Sequence, residues 1–350
     1  MRSLAEKLAA RIAQGGPITV ADFMHEAVGQ YYATRDPFGR QGDFTTAPEV
    51  SQMFGELIGL WCVMVWQMMG APDKVVLAEL GPGRGTLMND LLRAAGVVPA
   101  FLKAADIRLV ETSPRLTALQ RQTLSGRDVQ WCENVDQLPD GPLIVIANEL
   151  FDALPIRQFV KHDGQWCERM VGLDGDGFCF VAGPAADPDL PAEVLATPDG
   201  AIVETCDGGR ALAASLGKRL NRQPGFALII DYGHGRSGTG DTLQAVRHHR
   251  FHPVLDQPGL ADITAHVDFQ ALAGAAVPAR AWGPVDQGGF LRALGIETRA
   301  HLLAQAGGDK VAADIMGQLR RLIDPGEMGT LFKALALASP HFPAPPGFVS

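Results

Sequence analysis

The sequence predicts an α/β protein with a doubly wound, mostly parallel sheet, an N-terminal helical segment and an inserted lobe of hairpins and helices. Residues 75–80, VVLAEL, form an apolar run typical of a buried parallel strand. Three alternating glycines follow, and residues 84–95 then carry apolar side chains at helical spacing. From 75 to 148, strand and helix patterns alternate at the spacing of βαβ units, which have right-handed crossovers.

The first half of the sheet is predicted from four strands and two helices. The strands lie at 75–80, 106–111, 128–132 and 142–148, and the helices at 84–95 and 114–124. Helix 208–220 and strand 226–231 resume the sheet after an insertion, and 242–246 is a further strand. The C-terminal part is predicted as helix 267–276, strand 279–283, two or three helices between 288 and 323, and strand 331–337.

These elements divide the chain into five predicted parts. They are an N-terminal helical segment with a lid-like loop (1–72), a Rossmann-like core (73–156 and 205–246), inserted hairpins (157–204), a helical substrate lobe (247–325) and a C-terminal strand with a tail (326–350).

Composition restricts the classes of partner. A net charge of −9 over 350 residues argues against nucleic-acid or anionic-membrane binding, because like charges repel. The longest apolar segment, 53–69, contains Glu56 and Gln67 and is predicted as a buried helix with no stable membrane insertion. The 5 cysteines are scattered, which is typical of free thiols in a reducing compartment.

A polar, turn-rich loop is predicted at 31–48, YYATRDPFGRQGDFTTAP. Its glycines and hydroxyls would suit a lid over a ligand, with Asp43 and Thr45 in contact with that ligand. The alternative is an ordinary connector in which Thr46 caps the next helix.

The glycine-rich turn lies in residues 74–86, KVVLAELGPGRGT. Thr86 occupies the place of the third small residue of a dinucleotide fingerprint, and no Gly-Lys-Ser/Thr follows as in a P-loop. The remaining pattern, an acid (Glu79) followed by Gly81, Gly83 and Gly85, resembles the first motif of class I S-adenosylmethionine-dependent methyltransferases. The alternative is a tight turn that binds nothing.

Residues that end neighbouring parallel strands are expected to meet at one edge of the sheet. Glu111 ends the second strand, where a carboxylate can accept hydrogen bonds from a ribose diol, although NAD and S-adenosylmethionine share that diol. Asn148, Glu149 and Asp152 follow the fourth strand, where two carboxylates could hold the fork of an acceptor guanidinium. Strand and helix capping would explain the same residues.

The segment 247–268 concentrates 4 of the 9 histidines. A metal site is disfavoured, because His248 and His249 should point apart in an extended chain and no cysteine lies nearby. A catalytic or substrate-orienting role for His266 with Asp268 is predicted, and a solvated loop is the alternative.

Longer phrases resemble the MidA family of S-adenosylmethionine-dependent methyltransferases. They include GDFTTAPEVSQMFGELIG, ELGPGRGTLMNDLLR, ANELFDALPIRQF, PGLADITAHVDF and MGTLFKALALA, in order from about residue 20 to 338. The sequence departs from the family pattern at Leu150, where an aromatic is common, and at Asp286, where Thr or Ser is usual before Gln-Gly.

The resemblance implies a class I methyltransferase-type sheet, the cofactor S-adenosyl-L-methionine, and a methyl-transfer site lined by Asn148, Glu149 and Asp152. Together with the residues predicted above, the catalytic set is Glu149, Asp152, His266 and Asp268. It implies that Gly81, Gly83 and Gly85 line the methionine part of the cofactor, Glu111 its ribose and Asn134 its adenine. The full set of predicted cofactor residues is Asp43, Thr45, Glu79, Gly81, Pro82, Gly83, Gly85, Thr86, Glu111, Thr112, Ser113, Asn134 and Asn148.

The family includes a mitochondrial assembly factor that symmetrically dimethylates an arginine of a respiratory complex I core subunit. The resemblance therefore implies the same activity on a homologous protein substrate, in the bacterial cytoplasm or the mitochondrial matrix, with a homodimer as one option. A non-catalytic assembly protein with the same fold is an alternative, and an NAD oxidoreductase is disfavoured by Thr86.

Overall fold

A computed structural model describes residues 2–34, 45–175 and 177–348. The strands are β1 Ile18–Thr19, β2 Val75–Leu80, β3 Ala105–Val110, β4 Val129–Cys132, β5 Leu143–Asn148, β6 Arg157–His162, β7 Gln165–Asp174, β8 Gly177–Ala185, β9 Ile202–Thr205, β10 Gly225–His234, β11 Gln244–Arg247, β12 Arg250–His252, β13 Asp262–Thr264, β14 Val267–Asp268, β15 Arg280–Asp286 and β16 Phe332–Ala338. The helices are α1 Leu4–Gly15, α2 Val20–Thr34, α3 Ala47–Val50, α4 Gln52–Met68, α5 Thr86–Ala95, α6 Pro99–Ala104, α7 Pro114–Thr123, α8 Ala192–Leu195, α9 Asp207–Arg222, α10 Phe269–Ala275, α11 Gln287–Ala293, α12 Ile296–Ala306, α13 Asp309–Ile323 and α14 Met328–Leu331.

The central sheet has the strand order β15-β16-β10-β5-β2-β3-β4. All neighbouring pairs from β4 to β10 are parallel, and β16 runs antiparallel to both β10 and β15. The chain moves outward from β2 in one direction through β3 and β4, and then resumes on the other side at β5. The switch point therefore lies between β2 and β5, and the predicted doubly wound, mostly parallel sheet is confirmed.

Helices cover both faces of this sheet, so every residue of β2 and β5 is buried. On one face, the predicted 53–69 helix is confirmed as α4, which packs closely on α5. A Cβ at Gly59 would lie 2.5 Å from the carbonyl oxygen of Leu91, so only glycine permits this approach. In the described ranges, no helix is both long and apolar enough to cross a membrane.

An antiparallel sheet with the order β1-β7-β6-β9, joined by β8, stands beside the core. It confirms the predicted hairpins of the 157–204 region. The N-terminal segment was predicted to be helical apart from one loop, but it also contains the short strand Ile18–Thr19, which pairs with β7.

Two local predictions are wrong. Tyr31 to Thr34 belong to α2 and not to the predicted loop, since the helix continues to Thr34, and positions 35–44 of that loop lie outside the described residues. His248 and His249 are not extended: both have positive φ, 52° and 59°, and form the turn of the β11–β12 hairpin. That hairpin and β13 make a three-stranded sheet in a region predicted mainly as a polar loop.

Candidate functional site

The glycine-rich turn lies between β2 and α5, as predicted. Gly81, Gly83 and Gly85 have φ values of 62°, 54° and 82°, a region in which other residues are strained. Gly85 is the N-cap of α5. A Cβ at Gly81 would lie 2.8 Å from the Leu150 side chain, so the backbone of this turn and the loop after β5 approach closely.

A cavity of about 990 Å³ opens at the carboxyl ends of the parallel strands. This position matches the expected ligand site of a doubly wound sheet. The cavity brings together most of the predicted site residues, namely Thr45, Glu79, Gly81, Pro82, Gly83, Thr86, Glu111, Thr112, Ser113, Asn148, Glu149, Asp152 and His266.

Three predicted site residues do not line this cavity, and a fourth is not described. Asp43 lies outside the described residues. Gly85 supports the turn but does not line the cavity. The side chains of Asn134 and Asp268 cap local structure, since they accept hydrogen bonds from the backbone N–H groups of Asp136 and Ala271.

The carboxylate of Glu111 is held at the end of β3 by two donors. Its Oε1 accepts from the Ser113 backbone N–H at 2.7 Å, and its Oε2 accepts from Gln120 Nε2 at 3.0 Å. The same amide nitrogen donates to the Gly83 carbonyl at 2.8 Å, and the Gln120 oxygen accepts from Trp131 Nε1 at 2.9 Å. Burial raises the pKa of Glu111. Gln120 was not predicted, because its helical position in α7 carries no sign of this network.

Two buried oxygen atoms near the glycine turn, Glu79 Oε2 and Asn148 Oδ1, have no hydrogen-bond partner among the described residues. Burial raises the pKa of Glu79 to about 8. An unsatisfied buried acceptor is costly unless a ligand supplies a donor or a positive charge. S-adenosylmethionine carries both an ammonium and a sulfonium, so these residues fit its methionine part, while Glu111 fits the ribose diol.

Glu149 follows β5 with a φ of 51°, which is unusual for a residue with a side chain. Its Oε1 accepts hydrogen bonds from the Ala47 backbone N–H at 2.9 Å and from Asn148 Nδ2 at 3.1 Å. Oε2 takes part in neither bond. Burial raises the pKa of Glu149 to about 8, with a smaller contribution from the negative charge of Asp152.

Asp152 lies beside Glu149 in the cavity wall, and burial raises its pKa to about 6. The Tyr232 hydroxyl donates a hydrogen bond to its carboxylate. Asp152 and Glu149 make no ion pair with any described residue. The site therefore contains two adjacent buried carboxyl groups with no described cation at salt-bridge distance, and the more distant charge of Arg321 lowers the pKa of Glu149 less than burial raises it.

Asp231 shapes this turn from the neighbouring strand β10. Its Oδ2 accepts from the backbone N–H groups of Phe151 at 2.9 Å and Asp152 at 3.2 Å, and its Oδ1 accepts from Tyr232 N–H at 2.9 Å. It is fully buried, and burial raises its pKa. The apolar run that ends in Asp231 predicted a strand, but not this contact.

Two further groups in the cavity wall were not predicted. Tyr32 on α2 makes a side-chain hydrogen bond with Asp262 on β13, and burial raises the pKa of Tyr32. Their elements are distant in sequence, so no local pattern connects them.

His266 reaches the cavity as predicted, but it is not paired with Asp268. Its ring packs edge-on against Tyr232, with the ring centroids 5.5 Å apart, and burial lowers its pKa. The Asp268 carboxylate lies 3.9 Å from His234 and faces a smaller adjacent cavity. Among the described residues, no three His, Cys, Asp or Glu side chains are grouped as metal ligands.

The switch-point cavity, the glycine turn and the acid at the end of the next strand are the arrangement expected of a class I S-adenosylmethionine-dependent methyltransferase. The model of the family described as "Putative S-adenosyl-L-methionine-dependent methyltransferase" matches residues 57–284. The chain belongs to this family, it is an S-adenosylmethionine-dependent methyltransferase, and the resemblance predicted from its sequence is confirmed.

Known proteins resemble nearly the whole chain. Protein arginine methyltransferase NDUFAF7, mitochondrial, from Homo sapiens is 36% identical, with 95% of this chain and 82% of the human protein covered. The Danio rerio protein of the same name is 35% identical, over 95% of this chain and 86% of its own. A crystal structure from Burkholderia thailandensis, bound to S-adenosyl-homocysteine, is 28% identical with a TM-score of 0.86, covering 99% of this chain and 94% of that one.

Proposed function

We propose that this methyltransferase modifies a guanidinium nitrogen of an arginine in a protein substrate. The names of the human and zebrafish relatives support arginine as the acceptor. The observation that carries the proposal is the pair of buried carboxyl groups at Glu149 and Asp152. Both have raised pKa values and neither forms an ion pair with a described residue.

A guanidinium would satisfy this pair. Buried carboxylates are unfavourable alone, whereas a planar guanidinium offers several donors in a fork that matches carboxylate oxygens. Glu149 Oε2 and the Asp152 carboxylate would hold the acceptor, and binding would lower the pKa of both acids.

The bound cofactor supplies an electrophilic methyl group on a sulfonium. The tasks of the protein are to orient the acceptor nitrogen, to exclude water and to receive the proton that this nitrogen loses. Glu149 is the residue we assign to proton removal, because before substrate binds its pKa of about 8 is the higher of the two. Asp152, held by Tyr232, orients the fork.

We place the acceptor arginine on a core subunit of respiratory complex I and propose symmetric dimethylation, with this chain acting in assembly of the complex. The family resemblance supports this substrate. The compartment would be the bacterial cytoplasm or the mitochondrial matrix, and the human and zebrafish relatives are named as mitochondrial proteins.

The test is transfer of a labelled methyl group to proteins of a matched cell extract, followed by mass spectrometry of complex I subunits with and without this chain. We expect a dimethylated arginine when the wild-type protein is present. The modification should be absent when the protein is missing or is replaced by the Glu149→Gln variant. Glu193→Gln, at an exposed position of α8, is the matched control and should restore the modification. Cofactor binding without label on any arginine would refute the proposed acceptor.

A further inference from the structure

The β11–β12 hairpin forms part of the cavity wall and carries a highly exposed aromatic side chain. Phe251 on β12 is 83% exposed and still lines the cavity. Leu331, at the end of α14, is 44% exposed and lines the same cavity. The other exposed large apolar side chains of the described ranges do not line it, namely Leu60, Val97, Val277, Leu302, Val311 and Met316.

Strand register connects Phe251 to a buried residue of the cavity wall, Asp262. Val246 on β11 is the direct partner of Phe251 on β12, and on its other side of Asp262 on β13. Directly opposed residues of neighbouring strands share one face of a sheet. This row therefore runs from Asp262, which is 4% exposed, through Val246 to Phe251 at the rim, and all three residues line the cavity.

We propose that Phe251 and Leu331 form a docking rim that seats an apolar side chain of the protein substrate next to the acceptor arginine. This inference rests on the proposed function. Continuity of the row with the site favours the substrate, because Tyr32 interacts with both Asp262 at the end of the row and Asp152. A polypeptide that inserts one side chain between Glu149 and Asp152 would bring its neighbouring residues to the exposed side chains of the same cavity. A partner bound only at the surface would contact Phe251 but not the buried Asp262 at the other end of the row.

In this proposal, two parts of the site recognise two different features of the substrate. The acids on the floor select the guanidinium, whereas Phe251 and Leu331 select the sequence around it. An aromatic side chain that becomes buried on binding contributes a large apolar area to the interface. The preferred acceptor is therefore an arginine flanked by a large apolar residue.

The test uses the full-length protein. The acceptor is the protein that the transfer assay above identifies, purified without the modification from cells that lack this chain. Phe251→Ala and Leu331→Ala should each lower kcat/KM for that acceptor by roughly tenfold or more, mainly through a higher KM. Affinity for S-adenosyl-homocysteine should stay unchanged, and Phe251→Trp should restore activity. Val97→Ala, at a position 74% exposed and outside the cavity, should behave as wild type.

The outcomes separate this inference from the proposed function. Wild-type protein that labels no arginine refutes the acceptor itself. Wild-type labelling with normal kinetics in both alanine variants overturns the docking rim alone. A change in oligomeric state or in sedimentation with anionic vesicles for Phe251→Ala, without a change in KM, would overturn it in favour of a second copy or a membrane surface.

Discussion

Gln120 Nε2 lies 3.0 Å from the Glu111 carboxylate and also donates to the carbonyl of Gly83. One buried side chain thus fixes the acid assigned to the cofactor ribose relative to the glycine turn. Because Gln120 also accepts from Trp131, its loss would leave three polar groups without this partner.

Gln120→Leu should therefore weaken binding of S-adenosyl-homocysteine, by a factor on the order of ten to one hundred, since each lost buried hydrogen bond costs about 1–3 kcal/mol. Calorimetric titration measures this change. The control is Gln122→Leu, at an exposed position of the same helix, which should bind normally. Equal affinities for both variants would contradict the role of Gln120.

Gly83→Val should abolish cofactor binding. The residue has a φ of 54°, and a branched side chain would add strain and occupy ligand space. Gly126 has a φ of 81°, but no described atom lies within 4 Å of the position that a Cβ would take there, so Gly126→Val reports strain alone. Retained affinity within a few-fold in Gly83→Val would refute the placement of the cofactor against this turn.

Glu149→Gln should bind S-adenosyl-homocysteine normally and lose methyl transfer by a factor on the order of one hundred or more, because the amide cannot accept the proton. Single-turnover transfer and calorimetric titration measure the two properties separately. An equal loss of cofactor affinity and of methyl transfer would indicate that Glu149 contacts the cofactor instead.

The raised pKa of Glu149 predicts two effects of pH. Recognition of a guanidinium requires the carboxylate, so kcat/KM for the protein acceptor should rise with pH up to about 8. For stability, the folded-state pKa exceeds the unfolded value, so the folded protein binds the proton more tightly. Stability should consequently fall as the pH rises from 4.5 to about 8. Glu149→Gln should show a smaller fall in Tm over that interval, and an identical fall would contradict the assignment.

Asp231→Asn should disturb the turn that carries Glu149 and Asp152. The carboxylate accepts three backbone N–H bonds through two oxygens, whereas an amide offers only one acceptor oxygen. We expect a loss of about 1–3 kcal/mol in the free energy of unfolding, with a larger relative loss of transfer than of cofactor affinity. Chemical denaturation and transfer assays provide the measurements, and unchanged stability would contradict this role.

Local sequence patterns were sufficient to predict the strands, helices and glycine turn on the side of the site assigned to the cofactor. The strand at 75–80 was predicted with the bounds that β2 has, because an apolar run followed by glycines is a local signal. Glu111 and Glu149 could be assigned to one edge because parallel strands end on the same side of a sheet. Asn134 and Asp268 were also assigned to this edge, and in the structure their side chains accept hydrogen bonds from nearby backbone N–H groups.

By itself, the sequence determined the sheet, the glycine turn and the acids at the strand ends, since periodicity and residue order carry that information. Only the tertiary structure decided which side chains complete the site. Tyr32 meets Asp262, and Asp231 holds the turn before Asp152, because long-range packing brings their elements together. The raised pKa values of Glu149 and Asp152 likewise arise from burial, and burial depends on the packing of the whole chain around them.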